Sequence, residues 1–190
     1  MSIVIIDGNI GSGKSTQIKL LDNIGFRTRK EPIEKWPLKQ FYEDPSRWAF
    51  VLQMKILETY CTPEEVCIYE RCMQSSKDVF WKHLVSSKVV TSVEDHIYRE
   101  WYNRVEWKPD VIIYLRSTPE KCFERIQTRH QTGDGQISLD YLQSIHSNYE
   151  AMSRDYTIDV DDKTPEEIHQ EILSVLKSEN AMLISDRYRS

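Results

Sequence analysis

The segment Gly8-Asn9-Ile10-Gly11-Ser12-Gly13-Lys14-Ser15 constrains this chain more than any other. It fits the pattern G-x-x-x-x-G-K-[ST] without a mismatch. An apolar run, Ile3–Ile6, ends just before it, and a helical pattern starts at Lys14. Anion chemistry asks for these residue types. Glycines let the backbone curl so that successive N–H groups point inward at phosphate oxygens. The helix start adds its partial positive charge. Lys14 supplies a mobile cation for the β- and γ-phosphates, and the Ser15 hydroxyl can ligate Mg²⁺. Thr16 continues the same first turn and is counted with the loop. The segment implies use of Mg²⁺ with ATP as phosphate donor and leaves the acceptor open.

Two more short apolar, β-branched runs have the same character: Val66–Tyr69 and Val111–Leu115, with Tyr156–Val160 as a further candidate. Runs of this length, apolar throughout, read as strands buried on both faces of a parallel sheet. Helical patterns separate them at Gly13–Ile24, Pro45–Cys61, Ser75–Ser86, Ser92–Trp107, Pro119–Thr128, Leu139–Tyr156 and Pro165–Ser178. Thr164-Pro165-Glu166-Glu167 is a helix start, with a Thr N-cap, Pro in the first position and acids in the first turn. The alternation predicts an α/β fold, a P-loop doubly wound parallel β-sheet flanked by helices. A length of 190 residues suits one domain, read as 1–178, followed by a tail, 179–190.

A net charge of −5 and a pI near 5.6 argue against a nucleic-acid-binding face and for a small anionic substrate held by a few local cations. Cys61, Cys67, Cys72 and Cys122 form no C-x-x-C pair. Cys67 and Cys122 read as core thiols in a reducing compartment. No apolar stretch is long enough to cross a bilayer, and Met1–Asp7 lacks the basic start of a leader. The expectation is a cytoplasmic protein with no membrane partner.

Two segments carry acceptor chemistry. Glu31 precedes Pro32, which disfavours helix at Glu31 and favours an extended strand end, where a carboxylate could serve as general base toward an alcohol. Glu70-Arg71 follows the second apolar run. A strand-end acid there can hold the magnesium shell, and Arg71 can steady the acceptor or the transferring phosphoryl group. Taken singly, Glu-Pro is a common turn and Glu-Arg a solvated ion pair worth little.

Taken in order, G-N-I-G-S-G-K-S, E-P-I-E-K-W, F-Y-E-D-P-S-R-W-A-F-V-L-Q, E-R-C-M-Q-S-S-K-D-V-F and Y-L-R-S-T-P-E-K-C-F-E-R-I-Q-T-R, these segments resemble the deoxynucleoside kinase family from Ile3 to about Asp162. The resemblance implies roles residue by residue. Glu31 is the base that takes the proton of the nucleoside 5′-hydroxyl, and Arg71 orients it. Glu70 joins Ser15 in the magnesium shell. Gln53 reads the base edge. Trp36 and Phe80 line and stack on the base, with Ile56 and Tyr60 counted in the same wall. Tyr42 hydrogen-bonds the sugar 3′-hydroxyl. Residues 119–141 resemble the family's helical lid, whose Arg125 and Arg129 are implied to pack on adenine and contact the phosphates.

The chain departs from the family pattern in the lid. Gln131 stands where a further arginine is usual, and Asp134, between Gly133 and Gly135, stands where a glutamate shares the 3′-hydroxyl. The positions that carry a charged Arg/Asp pair in kinases accepting deoxycytidine and purines hold Tyr60 and Ser76 here. That favours a pyrimidine deoxynucleoside, thymidine first. The resemblance further implies a homodimer, through the helix around Gln53 or through Ser92–Trp107, and feedback inhibition by dTTP. The competing readings are a thymidylate kinase, which acts on dTMP, and a non-catalytic nucleotide-binding module. The first would typically carry Asp-Arg-Tyr where this chain has Glu70-Arg71-Cys72. The second would be signalled by loss of Lys14, Glu31 or Arg71, all of which are present.

Overall fold

The computed structural model describes residues 3–64, 67–105, 107–129 and 134–179. Five strands form one sheet: β1 (Ile3–Gly8), β2 (Thr28–Arg29), β3 (Cys67–Glu70), β4 (Val111–Arg116) and β5 (Tyr156–Asp159). Their order across the sheet is β2-β3-β1-β4-β5, and every pairing is parallel. The predicted fold class is what the chain adopts. β1 and β4 sit centrally and are apolar on both faces, as a parallel sheet between two helix layers requires. Ile5, Tyr69, Ile112 and Tyr114 face one core, and Val4, Ile6, Ile68 and Ile113 face the other.

The helices are α1 (Lys14–Asn23), α2 (Leu38–Glu43), α3 (Pro45–Tyr60), α4 (Met73–Ser75), α5 (Lys82–Ser86), α6 (Ser92–Val105), α7 (Pro119–Arg129), α8 (Leu139–Ala151) and α9 (Pro165–Ser178). A π-helical segment, Ser76–Trp81, joins α4 to α5, so one helical run leaves the end of β3. Local chemistry sets several boundaries. Thr164 and Glu167 form a reciprocal capping box at the start of α9, a device worth about 1 kcal/mol. Asp44 accepts from the Arg47 N–H ahead of Pro45 in α3.

Three differences from the sequence reading have physical causes. The helix expected over Leu139–Tyr156 ends at Ala151, because Arg154 Nη1 donates to the carbonyls of Tyr149, Glu150 and Met152 and closes the last turn. The chain then turns so that Tyr156 pairs with Ile113 as the first residue of β5. β2 is two residues long, paired with β3 and tied to α3 by Arg29 Nη2 donating to the Thr59 carbonyl at 2.8 Å, and it is too short to leave a pattern. α2 likewise spans six residues without an apolar period. Val66, Gln131, Gly133 and the tail from residue 180 onward lie outside the described residues.

All four cysteines are free thiols, with Cys67, Cys72 and Cys122 buried and Cys61 exposed. Among the described residues no helix is long and apolar enough to cross a membrane.

Candidate active site

A cavity of about 400 Å³ opens at the C-terminal ends of β1 and β3, the position where open α/β sheets hold ligands. Its two ends differ in character.

The phosphate end is built on the loop between β1 and α1. Gly11 has φ 87°, and a Cβ there would lie 2.6 Å from the Cys122 carbonyl oxygen. The loop therefore packs directly against α7, which only glycine permits. Lys14 is buried, and its Nζ donates to the Asn9 carbonyl at 2.8 Å. Burial first, and then the neighbouring Arg71 cation, lowers its pKa to about 8.

Ser15 Oγ donates to Glu70 Oε1 at 2.5 Å, and Glu70 Oε2 accepts from the Glu31 N–H at 3.4 Å. Arg71 Nε pairs with Glu31 Oε1 at 2.8 Å. Burial pushes the Glu31 carboxyl up, and the Arg71 guanidinium opposes that shift. Arg71 has a left-handed backbone, φ 68°, an uncommon state for a non-glycine residue and one that clusters at working sites.

The donors at this end fit magnesium. Ser15 and Glu70 offer hard oxygen ligands side by side, and Mg²⁺ is usually held by one or two carboxylates together with substrate phosphates and water. Lys14 and Arg71 face the carboxylates of Asp7, Glu31 and Glu70, so an incoming triphosphate needs a further cation. Among the described residues there is no cluster of three or more His, Cys, Asp or Glu that could hold a metal by itself.

The other end, assigned to the base by the resemblance read from the motifs, is lined mostly by neutral side chains. Trp36, Gln53, Ile56, Tyr60, Ser76 and Phe80 all line it. Ser76 Oγ donates to Gln53 Oε1 at 3.0 Å and lies 3.3 Å from the Tyr98 hydroxyl. This contact orients the Gln53 amide with its N–H₂ group free of that bond. The Tyr60 hydroxyl donates to the Glu70 carbonyl at 3.2 Å, so its ring and not its hydroxyl forms the wall. Trp36 is pinned through Nε1 to Thr59 Oγ1 at 3.0 Å. Phe80 lies under the Arg71 guanidinium, 4.7 Å from its carbon.

The model of the deoxynucleoside kinase family matches residues 4–183. The chain belongs to the deoxynucleoside kinase family. It is 30% identical over 167 residues to mitochondrial thymidine kinase 2 of Homo sapiens, covering 78% of this chain and 63% of that protein. It is 30% identical over 215 residues to deoxycytidine kinase 2 of Gallus gallus, covering 90% of this chain and 81% of that protein. The structure of deoxyadenosine kinase from M. mycoides with dCMP and a flexible dCDP bound superposes with a TM-score of 0.80 at 25% identity, over 93% of this chain and 98% of that one. The resemblance read from the motifs is thus borne out. These relatives carry three different substrate names, and the chain spans less than two thirds of the length of thymidine kinase 2.

All ten residues expected on the nucleoside side line one cavity, together with Ile10, Gly11, Lys14, Ser15 and Glu70. The two arginines expected in the lid separate. Arg129 reaches the cavity, where its Nε and Nη2 pair with both oxygens of Asp134 at 2.9 and 2.7 Å. The residue counted for phosphate and the one counted for the sugar are therefore partners here. Tyr42 stands close to them. Burial, with the Asp134 charge adding to it, pushes its hydroxyl up to about 12. Arg125 lies outside the cavity lining and donates to Ser117 Oγ and the Val160 carbonyl, both at 3.2 Å, at the ends of β4 and β5.

Sequence reading missed Lys30, Phe41, Cys72 and Tyr141 in the cavity wall, and two groups behind it. Asp7 is fully buried at the end of β1, and the Tyr149 hydroxyl donates to its Oδ1 at 2.6 Å. An acid that ends an apolar strand just ahead of the loop was a visible signal for Asp7. Tyr149 had no signal beyond helical spacing.

Proposed function

We propose that this chain transfers the γ-phosphate of ATP to the 5′-hydroxyl of a pyrimidine deoxynucleoside, thymidine first, within a single kinase domain over residues 1–178. The observation that carries the reading is the Glu31–Arg71 pair at 2.8 Å, facing the phosphate loop across one cavity whose far wall is neutral and helical. In the step envisaged, the 5′ oxygen bonds to the γ-phosphorus and its proton passes to Glu31. The bond from the γ-phosphorus to the β,γ-bridging oxygen breaks, and ADP leaves. Burial raises the proton affinity of Glu31, which suits a general base. Arg71 keeps that carboxylate aimed, and Lys14 with the loop N–H groups cradles the triphosphate. Magnesium held by Ser15 and Glu70 would neutralise phosphate charge.

The base end supports a pyrimidine. Tyr60 and Ser76 bring no charge to this wall. Gln53, oriented by Ser76, presents its amide donor to a base carbonyl and keeps a second lone pair on Oε1 for a ring N–H. A site that matches both edges rejects a base lacking either partner. Tyr42 and Asp134, which line the same cavity, would meet the 3′-hydroxyl in this reading.

A homodimer goes with this reading. Val51 on α3 and Val93 and Trp101 on α6 are three of the four large hydrophobics exposed among the described residues, on the two helices named for that contact. Feedback by dTTP follows if its base enters the neutral end while its phosphates take the loop.

The test is transfer of label from [γ-³²P]ATP with Mg²⁺, offering thymidine, deoxycytidine, deoxyguanosine, deoxyadenosine and dTMP separately. Label on thymidine above the others is expected. Label on dTMP alone would overturn the roles given to Glu31 and Tyr42.

A further inference from the structure

We propose that Tyr149, on α8, is a positioning residue for phosphoryl transfer, its hydroxyl bridging Asp7 to Arg71 and holding the guanidinium against Glu31. The inference rests on the reading of Arg71 as a residue of the reaction centre.

Arg71 has much to lose if it is not held. Its side chain is long and rich in rotamers, and its backbone stands in a left-handed conformation in the buried wall of the cavity. Nε is engaged by Glu31 at 2.8 Å. Nη1 donates to the Gly8 carbonyl at 3.2 Å and to the Tyr149 hydroxyl. None of these contacts uses Nη2, the nitrogen left for a substrate oxygen.

Asp7 cannot do this work directly. Its Oδ1 lies 3.8 Å from Arg71 Nη1, beyond hydrogen-bonding distance. The Tyr149 hydroxyl closes that gap by accepting from Arg71 and donating to Asp7 Oδ1 at 2.6 Å. A phenol is both donor and acceptor, so one group satisfies both ends. Asp7 is in turn fixed by the Gly8 N–H at 2.8 Å. Bonds that involve a charged group in a buried setting are the strong ones.

The Tyr149 ring is held independently of its hydroxyl. It stacks on Tyr114 at 5.4 Å and 14°, and meets Phe80 edge-on at 6.3 Å. Phe80 also lies beneath Arg71. The helix is tied to its surroundings along its length. Asn9 of the phosphate loop donates to the Leu142 carbonyl at 2.9 Å, and Asn148 to the Val79 carbonyl at 3.0 Å. A phenylalanine at position 149 would therefore keep the packing and lose only the bridge.

The experiment is a double-mutant cycle of Tyr149→Phe, Arg71→Lys and the pair, using whichever deoxynucleoside the parent turns over. Tyr149→Phe should lower kcat about tenfold and leave KM for ATP and acceptor within about twofold, the size of one lost charged hydrogen bond. The pair should fall no further than Arg71→Lys alone. A kcat within about twofold of the parent, a loss confined to KM, or a pair equal to the product of the single losses would each overturn the proposal. A second measurement needs no turnover. Solvent exchange of the Arg71 Nε–H, followed by NMR in the substrate-free protein, should quicken at least about tenfold in Tyr149→Phe, and an unchanged rate overturns the bridge. If the parent phosphorylates no deoxynucleoside, the functional reading falls, and the exchange rate decides the positioning role by itself. Should Tyr149→Phe not fold, Asp7→Asn weakens the other end of the bridge and takes its place in both measurements.

Discussion

The two ends of the cavity are made differently. At the phosphate end the polar groups come from one loop and from residues at or just beyond the strand ends: Lys14, Ser15, Glu31, Glu70 and Arg71. Ser15 is engaged with Glu70 at 2.5 Å and Arg71 with Glu31 at 2.8 Å, while Lys14 donates to the Asn9 carbonyl at 2.8 Å. At the base end the walls come from α2, α3 and the helical run after β3, and the polar contact that orients the reading group is Ser76 to Gln53 at 3.0 Å. Charged groups in a buried site cannot be moved without leaving a partner unpaired, so the phosphate end resists change. Neutral walls can be resized at small cost, so the base end should tolerate substitution more readily than the phosphate end.

The comparison predicts unequal sensitivities. Glu31→Gln keeps the shape and removes the base. It should lower kcat by about 10²–10⁴-fold while the dissociation constant for ATP, measured by calorimetry, stays within about twofold, and unchanged turnover would end the assignment. Ser76→Ala frees the Gln53 amide to turn. It should reduce the preference for thymidine over deoxycytidine by roughly tenfold, about one hydrogen bond's worth, read as a ratio of kcat/KM values. If total activity collapsed instead, the two ends would not be separable in the way described. The smallest effect concerns Cys72, which lines the cavity where the ends meet. Its thiol is pushed up to about 12 by burial, with Asp7 adding to the shift, so it stays protonated at pH 8. Alkylation by iodoacetamide, followed by mass spectrometry, should label the exposed Cys61 and spare Cys72. Equal labelling would show that the phosphate end is open.

How much of this could be read beforehand follows from how local each signal is. The phosphate loop, Glu70 and Glu31 lie in contiguous motifs, so their places in the chain were legible, while the contacts that join them, Ser15 to Glu70 and Arg71 to Glu31, are tertiary. The strands β1, β3 and β4 were legible because a strand buried on both faces must be apolar throughout. The two-residue β2 and the six-residue α2 were too short to carry a period. The end of α8 was set by Arg154, whose capping role depends on how its side chain folds back. The pairing of Arg129 with Asp134 depends on where the lid segment returns.

By itself, then, the amino-acid sequence determined three strands of the sheet, because hydrophobic periodicity acts over a few residues, and its ordered motifs carried the resemblance to the family. Only the tertiary structure decided which groups stand behind the reaction centre. Asp7 and Tyr149 are separated by 142 positions and meet at 2.6 Å, because parallel strand order and the packing of α8 across the sheet end bring them together. No local pattern encodes a contact whose two halves lie on different elements and are joined only when the core closes.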